Sequence, residues 1–469
     1  MSDDLKWALE DIQARQLDYT NYNNYYYGDH KLAFATDKFT EAFGSLMKSF
    51  ADNLCPVIVD TIVDRLEITG FASQDLAPGQ EDKVADEAAQ LWRLNRMDKK
   101  ISDVHTEALR CGDAYVIVWP DVDGKPHIFT NDAHLCTVKY DPENLETVIR
   151  AAKMWYDDEA LYWRLTLYYP DRIEKYGFES SNNSMPSSAT MFQPFEVAGE
   201  PWPLPNPYGV VPVFHFANRA KSGAFGQSEL TDALPIQDAL NKTVCDLLVA
   251  QEFIAFPQRW ITGVETEIDE TTGLPKQVFV PGVNRVWTIG APDATLGQFP
   301  GANLDQYITV KESFREDMAI ATKTPLHYFK SSNLSFPSGV ALKVADAPLT
   351  AKVKHRQITW GNVWEDIVSL GLLMMGVQTG GLNCIWANTQ LYDDEAELAN
   401  LETKKRLGVS QRQVLREAGY TDEQIDQFEE ENQAAADELG EQLLTAFDRD
   451  APVTEQPRQP GRPAATKPA

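Results

Sequence analysis

From Asp3, apolar residues recur at helical spacing. Leu5, Leu9 and Ile12, with Gln16, mark one side of a helix reaching Tyr19. A second helical pattern runs from about Asp37 to Leu66 and is broken at Pro56. Asp82 to Leu94 places Val84, Ala88, Leu91 and Trp92 on one stripe, and Lys99 to Cys111 repeats it with Ile101, Val104, Ala108 and Leu109. Gly112 is a fitting stop. From there the period changes to two. Residues 114–119, 127–129, 135–140, 147–156, 162–169 and 171–176 predict strands of an antiparallel sheet, with turns at Asp141-Pro142-Glu143-Asn144 and Pro170-Asp171. Ser180 to Pro207 is rich in Ser, Asn and Pro and predicts an exposed loop; Val210 to Phe216 adds a strand.

Pro235 to Phe256 returns to the helical period. Leu240, Val244, Leu247, Gln251 and Ile254 alternate by four and three, which suits a neighbour running alongside. Pro257 stops it, and Gln258 to Gly301 is β-like. Leu304 to Lys323 predicts a helix with Tyr307, Val310, Phe314, Met318 and Ala321 inward. A short polar loop follows Pro325, with one base, Lys330, and no acid. Ser338 then offers an N-cap for a long helix to Gly376, kinked at Pro348. Cys384 to Ala387 reads as a strand. Ser410 with Gln413 and Thr421 with Gln424 form two capping boxes in a helical C-terminal region. The whole predicts an α+β protein of several modules.

Composition narrows the class. Hydrophobic residues at 43% and charged residues at 24% are those of a globular protein. The longest apolar run, Ile367 to Val377, is interrupted and falls short of the ~20 residues that span a bilayer, so no membrane association is expected. The opening M-S-D-D-L-K-W predicts no signal peptide. Five scattered cysteines without C-x-x-C point to buried, reduced thiols. The net charge of −28 opposes tight nucleic-acid binding, which rests on Lys and Arg neutralising phosphates. It is compatible with a role in solubility alone. Residues 391–450 hold 17 acids against 6 bases. Beyond Asp450 the chain is rich in Pro, Arg and Gln and predicts disorder.

Chemistry-bearing motifs are missing. No Walker A sequence, nucleophile elbow or H-E-x-x-H is present. The seven histidines lack metal-ligand spacing; His127 and His134 read as strand residues, not a metal pair. Trp360 and Trp364, at i and i+4, with Phe336, could stack on bases, but core packing is the stronger reading. No cofactor, metal or catalytic residue is expected.

Six segments, in order, resemble the portal proteins of tailed bacteriophages, in particular the siphophage subfamily of Gram-positive hosts. They are Y-Y-Y-G-D-H (25–30), N-L-C-P-V-I-V-D-T-I-V-D-R-L-E-I-T-G (53–70), G-D-A-Y-V-I-V-W-P (112–120), G-V-V-P-V-F-H-F (209–216), F-G-Q-S-E-L-T-D-A-L-P-I-Q-D-A-L-N (225–241), and T-P-L-H-Y-F with P-S-G-V-A-L-K (324–329 and 337–343). The resemblance covers roughly residues 20–420; Phe178 to Pro207 shows no family pattern. It implies a ring-shaped head-to-tail connector, dodecameric in the family, through which double-stranded DNA passes. The implied modules are a wing (1–231), a stem helix (232–256), a clip (257–303), a second stem helix (304–324), a tunnel loop (325–338), a kinked long helix returning to the wing (339–390), an acidic helical crown (391–446) and a disordered tail (447–469). Lys330, with Ser331, Ser332 and Asn333, would face DNA, and Lys323 and Lys343 are weaker candidates for that surface. Glu265, Glu267 and Lys276 would sit on the clip, where partners bind. The implied partners are the terminase large subunit, which supplies ATP-driven force, a head-tail connector protein, and the major capsid and scaffolding proteins. Stem and wing faces buried between neighbours would be exposed in a single subunit. Two other readings stay open: a soluble hydrolase using paired carboxylates, and a non-portal minor head protein.

Overall fold

The computed structural model describes residues 3–29, 33–34, 41, 52–74, 82–255, 259–263, 268, 292–298, 303–330, 339–389, 394–418, 420, 425 and 428–429. Helix α1 spans Asp3–Tyr27, eight residues past the expected end, because Tyr25 also finds the core. Helix α2, Cys55–Val63, starts with Pro56 in its first turn, where a missing N–H costs nothing. Strand β1 is Ile68–Ser73. Helix α3, Lys83–Leu94, is capped by Asp82, whose carboxylate accepts from Ala85 N at 3.0 Å and from Ser73 N at 2.8 Å. Helix α4 is Met97–Cys111.

A run of strands follows: β2 Asp113–Pro120, β3 Pro126–Asn131, β4 Cys136–Tyr140, β5 Val148–Asp157, β6 Tyr162–Tyr168 and β7 Arg172–Glu179. The short β8 (Gln193–Pro194) and β9 (Leu204–Pro205) precede β10 (Val213–Ala217). These strands form two sheets, not the single sheet expected. One has order β10-β2-β3; the other runs β4-β5-β6-β7, with β8 and β9 both on β7. The reason lies in β2. Ala114, Val116 and Val118 face the helical core, while Tyr115 and Ile117 face a second core shared with Cys136, Val138, Ala151 and Tyr168 of the other sheet. A strand buried on both faces reads as an unbroken apolar run, which conceals that two layers meet there. The far face of the larger sheet packs Ala152, Met154, Leu165 and Leu167 against Leu5, Leu9 and Ile12 of α1.

Residues 180–207 also depart from expectation. Phe192 is fully buried, Trp163 Nε1 donates to Ser184 O at 3.0 Å, and Trp202 Nε1 donates to Lys175 O at 2.8 Å. The segment supplies the carbonyl that the buried Trp163 indole requires, and its own half-buried Trp202 is tied back to β7.

Helix α5 (Leu234–Ala255) packs along α6 (Asp305–Thr322), and between them β11 (Arg259–Thr262) pairs antiparallel with β12 (Thr295–Gln298). Leu240 and Val244 are buried as expected, but Gln251 is exposed. On α6 the expected inward stripe fails at Val310 and Ala321, which are exposed; Met318, Ala319 and Thr322 are the buried positions. Only the last turns of α6 enter the core, so one neighbour, α5, sets the rest.

Helix α7 runs from Gly339 to Met374 through Pro348. Its buried stripe is Leu349, Val353, Arg356, Trp360, Trp364 and Ile367. Both tryptophans are core residues, as expected, with Trp364 against Phe216 at 4.8 Å between ring centroids; Phe336 lies outside the described residues. Strand β13 (Leu382–Trp386) pairs antiparallel with β1. Helices α8 (Asp394–Arg406) and α9 (Gln411–Glu417) follow, the latter capped by Ser410 as its capping box predicts; Thr421 and Gln424 lie outside the described residues. All five cysteines are free thiols, and four are buried. The mixed helix-and-sheet class expected from the sequence is what is found.

Candidate channel loop and its buried anchors

The loop begins at Lys323, which caps α6 in the left-handed region (φ 55°). Thr322 and Thr324 are buried on either side, so the turn is held from within. After Pro325, residues Leu326–Tyr328 form a short 3-10 turn, and Phe329 is buried in the main core. Lys330 therefore stands at the end of an ordered root. Its ammonium lies 3.1 Å from Glu312 Oε2 on α6. Ser331, Ser332 and Asn333 lie outside the described residues, as do Glu265, Glu267 and Lys276. Lys323 is exposed at the cap, and Lys343 is half-buried in the opening turns of α7. The three lysines thus stand on three different pieces: helix cap, loop and following helix.

Two buried ionic clusters hold this region. In the first, Arg65, just past α2, donates to Asp346 Oδ2 at 2.8 Å and to the Tyr328 hydroxyl at 2.7 Å. His327 Nε2 lies 3.4 Å from the other Asp346 oxygen. Burial holds the imidazole pKa down despite the neighbouring carboxylate. Loop root and α7 are thereby joined through one arginine.

In the second cluster Glu229 meets two cations of α7. Lys352 Nζ is 2.7 Å away, and Arg356 closes on the other oxygen. Burial works against the charged carboxylate, but Lys352 and Arg356 bring its pKa below the ordinary value. Burial also presses the Lys352 pKa down, so Arg356 is the more secure cation of the pair. Lys352 further donates to Thr322 O, the carbonyl at the end of α6, at 2.7 Å. Arg356 Nε donates to Asn218 Oδ1 at 3.1 Å. In the sequence Lys352 and Arg356 stand, with Lys343 and Lys354, only as part of a basic stretch in an acidic chain.

The segment bearing Glu229 is fixed by a close crossing of two chains. Asn218 N donates to Gly112 O at 2.8 Å, and Gly226 N to Asp113 Oδ1 at 2.7 Å. A Cβ on Gly226 would stand 1.9 Å from Gly112 O, and Gly112 itself sits at φ +99°. Glycine at both positions is a steric requirement. Asp113 also accepts from Tyr19 at 2.6 Å and pairs with His215 Nε2 at 2.7 Å. Burial would raise its pKa, but these hydrogen bonds leave it below the ordinary value.

Residues from all six family-like segments meet this framework: Tyr25 donates to Asp238, Arg65 to the Tyr328 hydroxyl, His215 pairs with Asp113, and Gly112 and Asp113 support Gly226. The signal that could have found the clusters was an arginine closing an apolar helix in V-D-R-L and a lone acid in F-G-Q-S-E-L. Among the described residues no group of His, Cys, Asp or Glu is placed to hold a metal ion. His127 pairs with Asp121, and His134 meets Tyr19 edge-on.

These buried ion pairs join elements far apart in the chain. The chain belongs to the phage portal family: the family described as "Phage portal protein, SPP1 Gp6-like" matches residues 5–438. It is similar to the portal protein of Mycobacterium phage L5, with 24% identity over 446 residues, covering 87% of this chain and 83% of the relative. The portal protein of Mycobacterium phage D29 matches at 24% over 435 residues, covering 86% and 82%. The protein is thus a phage portal serving DNA packaging, a component of the virion. No helix among the described residues is long and apolar enough to cross a membrane.

Proposed function

We propose that the subunits close into a homo-oligomeric ring whose axial channel passes double-stranded DNA during packaging, retention and ejection. The observation that carries this reading is the family match over residues 5–438, combined with helix α7 following a loop with an anchored root. Residues 325–338 form the tunnel loop, with Lys330 turned to the DNA backbone once phosphate replaces Glu312. Contacts of this kind are sequence-blind and weaken steeply with salt. The β11–β12 region between α5 and α6 is the clip. It docks the terminase large subunit during packaging and a head-tail connector afterwards. The two-sheet body is the wing, facing capsid and scaffolding proteins, and the acidic residues after 391 form the crown. The protein works mechanically and electrostatically, without catalysis of its own, and assembles in the host cytoplasm. Light scattering with negative-stain class averages tests the reading. Rings with a central hole are expected, and a compact dimer or tetramer without a hole would overturn it.

A further inference from the structure

The face of the larger sheet turned away from α1 is only partly covered. Beside β2 and β3 it leaves a groove of about 400 Å³. Trp119, Phe129, Trp155 and Phe195 form its walls, and Phe129 is 48% exposed. An antiparallel sheet can present one face to water, but then polar side chains are expected there, and an aromatic trough signals a partner. The described lining includes Lys153, Arg164 and Lys175 and no carboxylate, in a chain of net charge −28. Asp157 and Glu200 occupy Arg164 and Lys175 from the rim. Lys153, half-buried and 5.0 Å from the Trp155 ring centroid, has no carboxylate among the described contacts.

A complementary feature lies at the opposite end of the same sheet. The β4–β5 turn carries Glu143 and Glu146 around Leu145, which rests on one side on Gly223 of its own subunit and is 46% exposed on the other. The turn is rigid. Asp141 accepts from Glu143 N at 2.9 Å, Asn144 Oδ1 from Glu146 N at 3.3 Å, and Asn144 Nδ2 donates to Thr147 at 2.9 Å. A preorganised tip loses little entropy on docking. Glu143, Leu145 and Glu146 do not line their own subunit's groove, whose far wall, Trp155, is seven β5 residues from Val148, roughly 23 Å at ~3.3 Å per residue.

We propose that the Glu143–Glu146 tip of one copy seats Leu145 in the aromatic groove of a second copy, with its carboxylates toward Lys153. Socket and tip are different surfaces of the subunit, so the contact is head-to-tail, the type that generates rings when the rotation closes. The β5–β6 turn, with Asp158, Glu159 and exposed Leu161, adjoins the groove and would produce a two-fold pair instead. The inference rests on the ring reading above.

The test uses the full chain. Lys153→Glu should lower the ring fraction about tenfold at fixed concentration, and adding Glu146→Lys should restore it. Ring loss that Glu146→Lys does not rescue, or that Glu159→Lys rescues, overturns the head-to-tail pairing. Independently, chains carrying Leu145→Cys and chains carrying Val197→Cys in the groove lining, mixed and oxidised, should form a mixed disulfide detectable by mass spectrometry. Wild-type rings indifferent to Lys153→Glu, with no mixed disulfide, overturn this contact and leave the portal reading intact. A mixed disulfide without rings upholds the contact and counts against ring closure. Neither rings nor disulfide overturns both.

Discussion

Two lysine–glutamate pairs flank the start of α7, and they differ in everything but composition. Lys352 and Glu229 have 11% and 2% of their side chains exposed, and Arg356 completes the group. Lys330 and Glu312 have 19% and 44% exposed and no third member among the described contacts. In the first, water is excluded, and losing one partner strands a charge in a medium that cannot solvate it. In the second, water and salt compete for both charges, and the pair exchanges cheaply. One pair fixes the architecture; the other leaves a cation available at the tip of an ordered root. A count of basic residues cannot tell these apart.

The comparison breaks most sharply at Glu229. Glu229→Ala should destabilise the fold by about 3–5 kcal/mol, read from the urea midpoint at unchanged slope. Glu229→Leu combined with Arg356→Met and Lys352→Met should recover much of that, since no buried charge is then unpaired. A single-variant loss below 1 kcal/mol would falsify the clamp.

Acid sharpens it next. His105 is fully buried, and burial pushes its pKa down to about 3. Its neutral Nε2 accepts from Trp364 Nε1 at 3.0 Å. The unfolded chain takes up the proton near pH 6.5 while the folded chain resists it. Stability should therefore fall as pH drops below 6.5, by roughly 3 kcal/mol at pH 4 from this residue alone. His105→Gln should flatten that slope in thermal melts. Glu229 and Asp113, both with depressed pKa values, contribute stability present above the ordinary carboxylate range and lost below it.

The smallest stability effect belongs to the more exposed pair. Lys330→Glu and Glu312→Gln should each shift stability by less than about 1 kcal/mol. Their functional signs should differ. Lys330→Glu should impair packaging while particles still assemble, and Glu312→Gln, which frees the lysine, should not. Normal packaging by Lys330→Glu would remove the DNA-facing role.

Local features were legible in the sequence because their determinants are local. Asp82 and Ser410 cap the helices they were expected to start, Gly112 ends α4, and the strands fall within a few residues of their predicted limits. The two sheets were not legible, since period two reports which faces are buried and not which layer covers them. The clusters were missed for a related reason. Arg65 and Asp346 are separated by 281 positions, Glu229 and Arg356 by 127, and no short pattern links them. The stripe on α6 misled because one neighbour along most of its length leaves Val310 in solvent.

Pro348 has a consequence opposite to the one usually drawn from a proline in a helix. It removes one rung of the backbone ladder, which invites a flexible joint. Here Asp346 is tied to Arg65 on one side of it, and Lys352 and Arg356 to Glu229 on the other. A rod pinned on both sides of its weakest section behaves as a splinted one. Thrust or torsion applied at the loop would pass through Pro348 into the sheets, and the bond most exposed to failure would be an ion pair, not the helix.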